Sequence, residues 1–116
     1  NLIKRFKPSK VFIPSFGDFH PTKDHQAVAM ITTDVLKKMD YNGEIYTYEL
    51  WLLKKENLPY IYVDVSKYQK RKIDLVKSFH SQKHFTYPLL IIYLLKSRLY
   101  GRKIKAKYAE RFYKLQ

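Results

Sequence analysis

Asp18, His20, Asp24 and His25 lie within one short stretch, Gly17-Asp18-Phe19-His20-Pro21-Thr22-Lys23-Asp24-His25. Neutral imidazoles and carboxylates are the nitrogen and oxygen donors that suit zinc, and a catalytic zinc needs about three protein ligands plus an open position for water. The chain has no cysteine, so any metal would rest on His, Asp and Glu alone. A helix that starts beside His25 also offers backbone donors to an anion. The same residues have a plainer reading, in which Asp24 caps the helix and the histidines are merely exposed. The residues themselves leave both open.

A strand must deliver this stretch and a helix must follow it. Val11-Phe12-Ile13 reads as a short buried strand. Pro14 to Asp18 then forms a loop at its C-terminal end, where ligands bind in open α/β sheets. From Asp24 to about Met39 the residues Ala27, Val28, Ile31, Val35 and Leu36 recur at helical spacing, with Thr22 or Asp24 as N-cap. Upstream, residues 1–7 read as a helix end closed by Pro8.

Downstream, Asn42-Gly43 marks a turn, and Glu44 to Leu53 and Tyr60 to Val63 read as strands. Ser66 to Gln82 is an amphipathic helix with Tyr68, Leu75, Val76 and Phe79 on one face. Pro88 opens a further helix to about Leu99, which Gly101 ends. Lys105 to Tyr113 closes as a strand. No repeat or linker marks a second domain. Because Val11 to Ile13 is apolar on both faces, that strand needs neighbours to cover it.

With 46% hydrophobic and 16% aromatic residues, the chain is a packed globular sequence despite 28% charged residues. Its longest apolar run, Leu89 to Leu95, is far shorter than the roughly 18 residues of a membrane span and reads as a buried helix. With no cysteine and no signal pattern, the expected compartment is cytoplasmic. Twenty-three Lys and Arg against ten Asp and Glu give a net charge of +13, which attracts phosphate-bearing partners. No recognition motif organises these cations, which argues against nucleic acid as the partner and leaves peripheral membrane contact compatible.

Several short segments together resemble one family. His20-Pro21 followed by Asp24-His25-Gln26-Ala27-Val28 is similar to the H-P-D-H-x-A-V motif of the PIG-L/LmbE de-N-acetylases, and the stretch from Phe6 to Pro14 is similar to their R-P-D-V-V-x-x-P segment. Tyr46 to Trp51 resembles the Y-E-x-W strand. Val63-Asp64-Val65-Ser66, Lys72 and Ser81-Gln82 resemble the V-D-I-S, K and S-Q pattern. Gly101 and Tyr108-Ala109-Glu110-Arg111-Phe112 resemble the R-G and Y-A-E-x-F ending. The matches keep their order along nearly the whole chain. Thr22-Lys23 interrupts the family's H-P-D-H, and its first motif, A-H-P-D-D-E, is absent from these 116 residues.

The resemblance implies an α/β fold with a Rossmann-like, mostly parallel sheet flanked by helices, of which residues 1–116 form the C-terminal half. It implies a zinc-dependent N-deacetylase acting on an N-acetylglucosamine-type sugar or glycolipid. His25 would be a metal ligand, His20 an acid or electrostatic stabiliser near the substrate, and Asp24 a catalytic-site carboxylate that orients a ligand. The zinc would be shared with residues outside this chain, and the partner would be the N-terminal half of the domain. These residues alone should then be inactive. The alternative is a non-catalytic α/β module whose basic surface holds phosphorylated sugar, nucleic acid or anionic membrane. Trp51, Glu110, Phe112, His80 and His84 are read as structural or surface residues.

Overall fold

The computed structural model describes residues 2–16, 23–49 and 57–116. A short helix α1 (Leu2–Phe6) ends ahead of Pro8, and Lys7 turns the chain with a left-handed φ of 44° into strand β1 (Lys10–Pro14). Helix α2 (Asp24–Lys38) leads to strand β2 (Glu44–Tyr48), and strand β3 (Tyr60–Asp64) to helix α3 (Gln69–Ser78). A 3-10 turn (His80–Gln82), helix α4 (Lys83–Lys103) and strand β4 (Ala109–Lys114) complete the order.

The four strands form one sheet in the order β1-β2-β4-β3. β1 and β2 are parallel, from Lys10 opposite Glu44 to Pro14 opposite Tyr48, and β2 and β4 are antiparallel, with Tyr46 opposite Lys114. Lys114 N donates to Pro59 O at 2.8 Å and Val65 N to Tyr108 O at 3.1 Å, so β3 also runs against β4. Three strands thus share one direction, in a mixed sheet of an α/β fold flanked by helices. No helix among the described residues is long and apolar enough to cross a membrane.

The chain divides into two compact units. The first, Asn1–Ile61 with Phe112–Gln116, is built around Ile13, Ala29, Leu36 and Ile45, with Ile3, Val11, Tyr41 and Leu115 against them. On the other face of β1, Phe12 stacks on Tyr46 at 5.5 Å and meets Phe112 edge-on at 5.2 Å. The expectation that β1 is covered on both faces is met on one. Ile13 is buried, but β1 lies at the sheet edge and Phe12 remains 49% exposed.

Helix α2 has the expected length but turns a different face inward. Of the expected face Leu36 is buried, whereas Ala27, Val28, Ile31 and Val35 are exposed; Ala29 is buried and His25, Thr32 and Thr33 are half-buried. The packed stripe is therefore 25, 29, 32, 33 and 36, spaced by threes and fours, with small residues where the helix meets β1.

The second unit, Tyr62–Arg111, packs α3 on α4. Of the expected inner face of α3, Val76 points inward, whereas Tyr68, Leu75 and Phe79 are exposed and Gln69, Lys72 and Ile73 point inward in their place. Two of these inward residues, Gln69 and Lys72, are polar groups with partners. Helix α4 starts five residues before Pro88, which lies inside it. Ser97 and Gly101 are buried and Leu89, Leu90, Ile92, Tyr93 and Leu94 are half-buried, whereas Ile91 and Leu95 of the apolar run stand in solvent. The run is a helix, but it is not buried along its length.

Gly101 does not end α4. Lys105, with φ 58°, is the left-handed residue, and Ala106 N donates back to Gly101 O at 2.9 Å, the six-to-one bond of a Schellman closure. Of the Glu44 to Leu53 strand, the part after Glu49 lies outside the described residues, as does Trp51.

Candidate functional site

β1 ends at Pro14 beside Tyr48, the last residue of its parallel neighbour, and Ser15 N donates to Tyr48 O at 3.2 Å. The C-terminal ends of the two strands are thereby held together, with Ser15 buried. Lys23 is the N-cap of α2, in the left-handed region at φ 56°, and carries no side-chain cap. A lysine in that region costs about 1–2 kcal/mol, a local strain at the Thr22-Lys23 interruption. Lys23 O accepts from Ala27 N at 3.1 Å, so the helix is fully formed from Asp24 onward.

Asp24 is the first helical residue and is exposed. It does not cap the helix, which corrects the capping expectation: the chain enters through a left-handed residue, so Asp24 is already inside the first turn. Its charge still complements the helix dipole there. His25 follows in the same turn, half-buried, on the inward stripe with Ala29, Thr32, Thr33 and Leu36. His20, Asp18 and the alternative cap Thr22 lie outside the described residues. Asp24 and His25 thus share the first turn of α2, with Asp24 exposed and His25 half-buried.

Zinc needs about three ligands. Among the described residues no three His, Cys, Asp or Glu side chains converge on a metal-sized site. These residues do not make up a whole zinc site, and among them His25 is the imidazole placed at the start of α2.

The second unit holds a polar cluster that the sequence reading saw only in part. Tyr93 Oη lies 2.7 Å from Glu110 Oε1 and 3.0 Å from Gln69 Oε1. The one phenol proton goes to the carboxylate, the stronger acceptor. Lys72 pairs with the same Glu110 oxygen and sits 4.3 Å from the Tyr93 ring centroid. Burial first, and the adjacent Glu110 carboxylate second, push the Tyr93 phenol well above its ordinary range. Lys72 and Glu110 were in the quoted motifs. Gln69 and Tyr93 were missed, although Tyr93, Ser97 and Gly101 share one face of α4 at four-residue spacing.

The Val63-Asp64-Val65-Ser66 segment also has a structural role. Asp64 Oδ1 accepts from Ser66 N at 2.9 Å and from Ser66 Oγ at 2.6 Å, which lowers the Asp64 carboxyl. Ser66 Oγ in turn accepts from Tyr108 N at 3.1 Å. These contacts lock the exit of β3 to the entry of β4. His80 and His84 are exposed, in line with their surface reading.

No protein-family model and no curated protein matches the chain. Among solved structures it is similar to the crystal structure of the conserved protein TT1542 from Thermus thermophilus, with a TM-score of 0.73 and 20% identity. The match covers 99% of this chain and 55% of that one. At this identity the likeness shows the fold, and the chain spans about half the length of the protein it matches.

Proposed function

We propose that the chain contributes to a zinc-dependent N-deacetylase site that acts on an N-acetylglucosamine-type sugar, with His25 as a metal ligand. The observation that supports this reading most is the place of His25: the first turn of α2, on the stripe that packs inward, after a strand whose C-terminal end is fixed to its parallel neighbour. An imidazole held by helix packing keeps its direction better than one on a loop. The motif around it supplies the class of chemistry.

Zinc, when bound, supplies Lewis acidity toward an acetamide carbonyl and lowers the pKa of water. The net reaction adds water across the C–N bond to give acetate and a free amine. In this reading His20 delivers the proton that the departing amine needs, and Asp24 orients an imidazole. The remaining ligands and the general base come from outside the described residues, as does the N-terminal half of the domain.

Metal analysis of two variants of the complete protein tests the division of roles. His25→Ala should lose most bound zinc, whereas His20→Ala should keep it and lose turnover. Full zinc and full activity in His25→Ala would move the ligand role to Asp18, Asp24 or His20. A second, non-catalytic reading is favoured by one feature, a groove along α3 lined by Lys67, Lys70 and Arg71 together with Asp74, Leu75 and Ser78, which suits an anionic ligand. Inorganic phosphate or a phosphorylated sugar that binds equally to wild type and His25→Ala, in a protein without amidase activity, would favour it.

A further inference from the structure

Ile91, Leu95 and Leu99 of α4 are 62%, 64% and 56% exposed. Their four-residue spacing aligns them in one stripe about 12 Å long. Arg98 and Arg102 flank the stripe and are exposed as well. At the head of the same helix Phe85 is 72% exposed, and Phe79 stands out at the end of α3. Between Asp74 and Glu110 the sequence has no carboxylate side chain, while Lys77, Lys83, Lys96, Arg98, Arg102, Lys103, Lys105 and Lys107 supply cations. A surface that is apolar along one line and cationic beside it is unlike the other exposed stripe, Val28, Ile31 and Val35 of α2, where Asp34 pairs with Lys38 at 2.8 Å.

We propose that the α4 face of the second unit is a contact surface for an anionic lipid bilayer, with Ile91, Leu95, Leu99 and Phe85 in the acyl boundary and Arg98 and Arg102 at the acidic headgroups. Charge complementarity selects this occupant. A second copy would set α4, which carries no carboxylate, against its own cations. A protein partner would need carboxylates fixed opposite each cation, whereas acidic headgroups are present wherever the cations fall. Helices of this kind lie in the interface without crossing it, their apolar side entering the boundary and their basic side held by surface potential. The inference concerns another part of the chain than His25 and does not depend on the deacetylase reading.

The test is co-sedimentation of the complete protein with phosphatidylcholine vesicles, with and without phosphatidylserine. Binding should require phosphatidylserine and weaken with added salt. Arg98→Gln combined with Arg102→Gln should weaken it roughly thirtyfold, at about 1 kcal/mol per cation near such a surface. Leu95→Gln should weaken it about tenfold, through loss of apolar burial. Ile91→Gln repeats the measurement at a second exposed position, and Ile31→Gln on α2 should leave binding unchanged. Circular dichroism establishes that each variant is folded. The proposal is overturned by equal binding to neutral vesicles, by Ile31→Gln weakening binding as much as Leu95→Gln, or by no vesicle binding at all. In that last case a dimer dissociated by Leu95→Gln identifies a second copy as the occupant, and an acidic protein retained through Leu95 identifies a protein partner.

Discussion

Replacing Gly101 by alanine should destabilise the protein, although alanine is the better helix former. Exchange of glycine for alanine inside a helix is favourable by about 1 kcal/mol. Here a Cβ would lie 2.6 Å from Ala106 O and 2.9 Å from both the carbonyl carbon and the oxygen of Lys107, against the 3.4 Å at which ordinary contact begins. All three atoms are backbone. They cannot swing aside, because Gly101 O accepts from Ile104 N at 3.1 Å and from Ala106 N at 2.9 Å, which closes the turn over the helix end. Forcing a methyl group into such packing costs about 1–3 kcal/mol. The short contact and its rigid walls place Gly101→Ala toward the upper end, for a net loss of about 1–2 kcal/mol. For a chain of this size that is a fall of roughly 4–10 °C in Tm. Urea unfolding followed by circular dichroism measures it directly, with Gly101→Val expected to lose more. If Gly101→Ala unfolds at the same or a higher urea concentration, the turn is looser than described and the packing argument for Gly101 is wrong.

Two further outcomes follow from named contacts. Tyr93→Phe removes the phenol that donates to Glu110 and should cost about 1 kcal/mol; no change in urea midpoint would show that the Lys72 to Glu110 pair is sufficient without it. Glu44 is held to about 2 by Lys114 first, then Lys10 and Tyr46. Because its folded value lies below its unfolded one, its stabilisation is complete above the ordinary carboxylate range and is lost as pH falls through the folded value. Glu44→Gln should therefore be less stable than wild type at neutral pH, with the gap narrowing below about pH 4.5 and closing near pH 2. A constant gap across that range would show that its ion pairs do not carry the difference.

The element order was legible in the sequence because helix and strand periods and the turn residues announce it: β1, α2 and β3 lie where the pattern puts them, whereas the closing strand expected from Lys105 starts only at Ala109, because Lys105 makes the left-handed turn that closes α4. Which face each helix buries was not. On α2 the apolar count favours Val28, Ile31 and Val35, but close approach to β1 needs the small Ala29, and the inward stripe follows it. On α3 the deciding groups are polar, since Gln69 and Lys72 point inward toward Tyr93 and Glu110, partners distant in sequence. On α4 the fully buried positions are Ser97 and Gly101, which contribute little to any hydrophobic pattern. Gly101 reads as a helix stop because glycine often fills the left-handed position, yet Lys105 fills it and Gly101 serves the return of the chain.

The candidate site was legible only as types and spacing. His25 is recognisable from its motif, but its place on the inward stripe needed the helix phase. The resemblance is carried by short segments, some of which have structural roles: Asp64 and Ser66 lock a strand exit, and Lys72 and Glu110 form an ion pair. Recurrence of such segments speaks for a shared fold as much as for shared chemistry. The metal reading therefore depends on His25 and its neighbours more than on the number of matching segments.

Acetate release tests that reading most directly. The complete protein, loaded with zinc, is incubated with N-acetylglucosamine-bearing substrates, and acetate and free amine are quantified together for wild type and His25→Ala. The account predicts equal amounts of the two products from wild type and at least about a hundredfold less from His25→Ala, as expected when an essential ligand is lost. Equal release from both proteins, or no release from a zinc-loaded wild type on any such substrate, would contradict it.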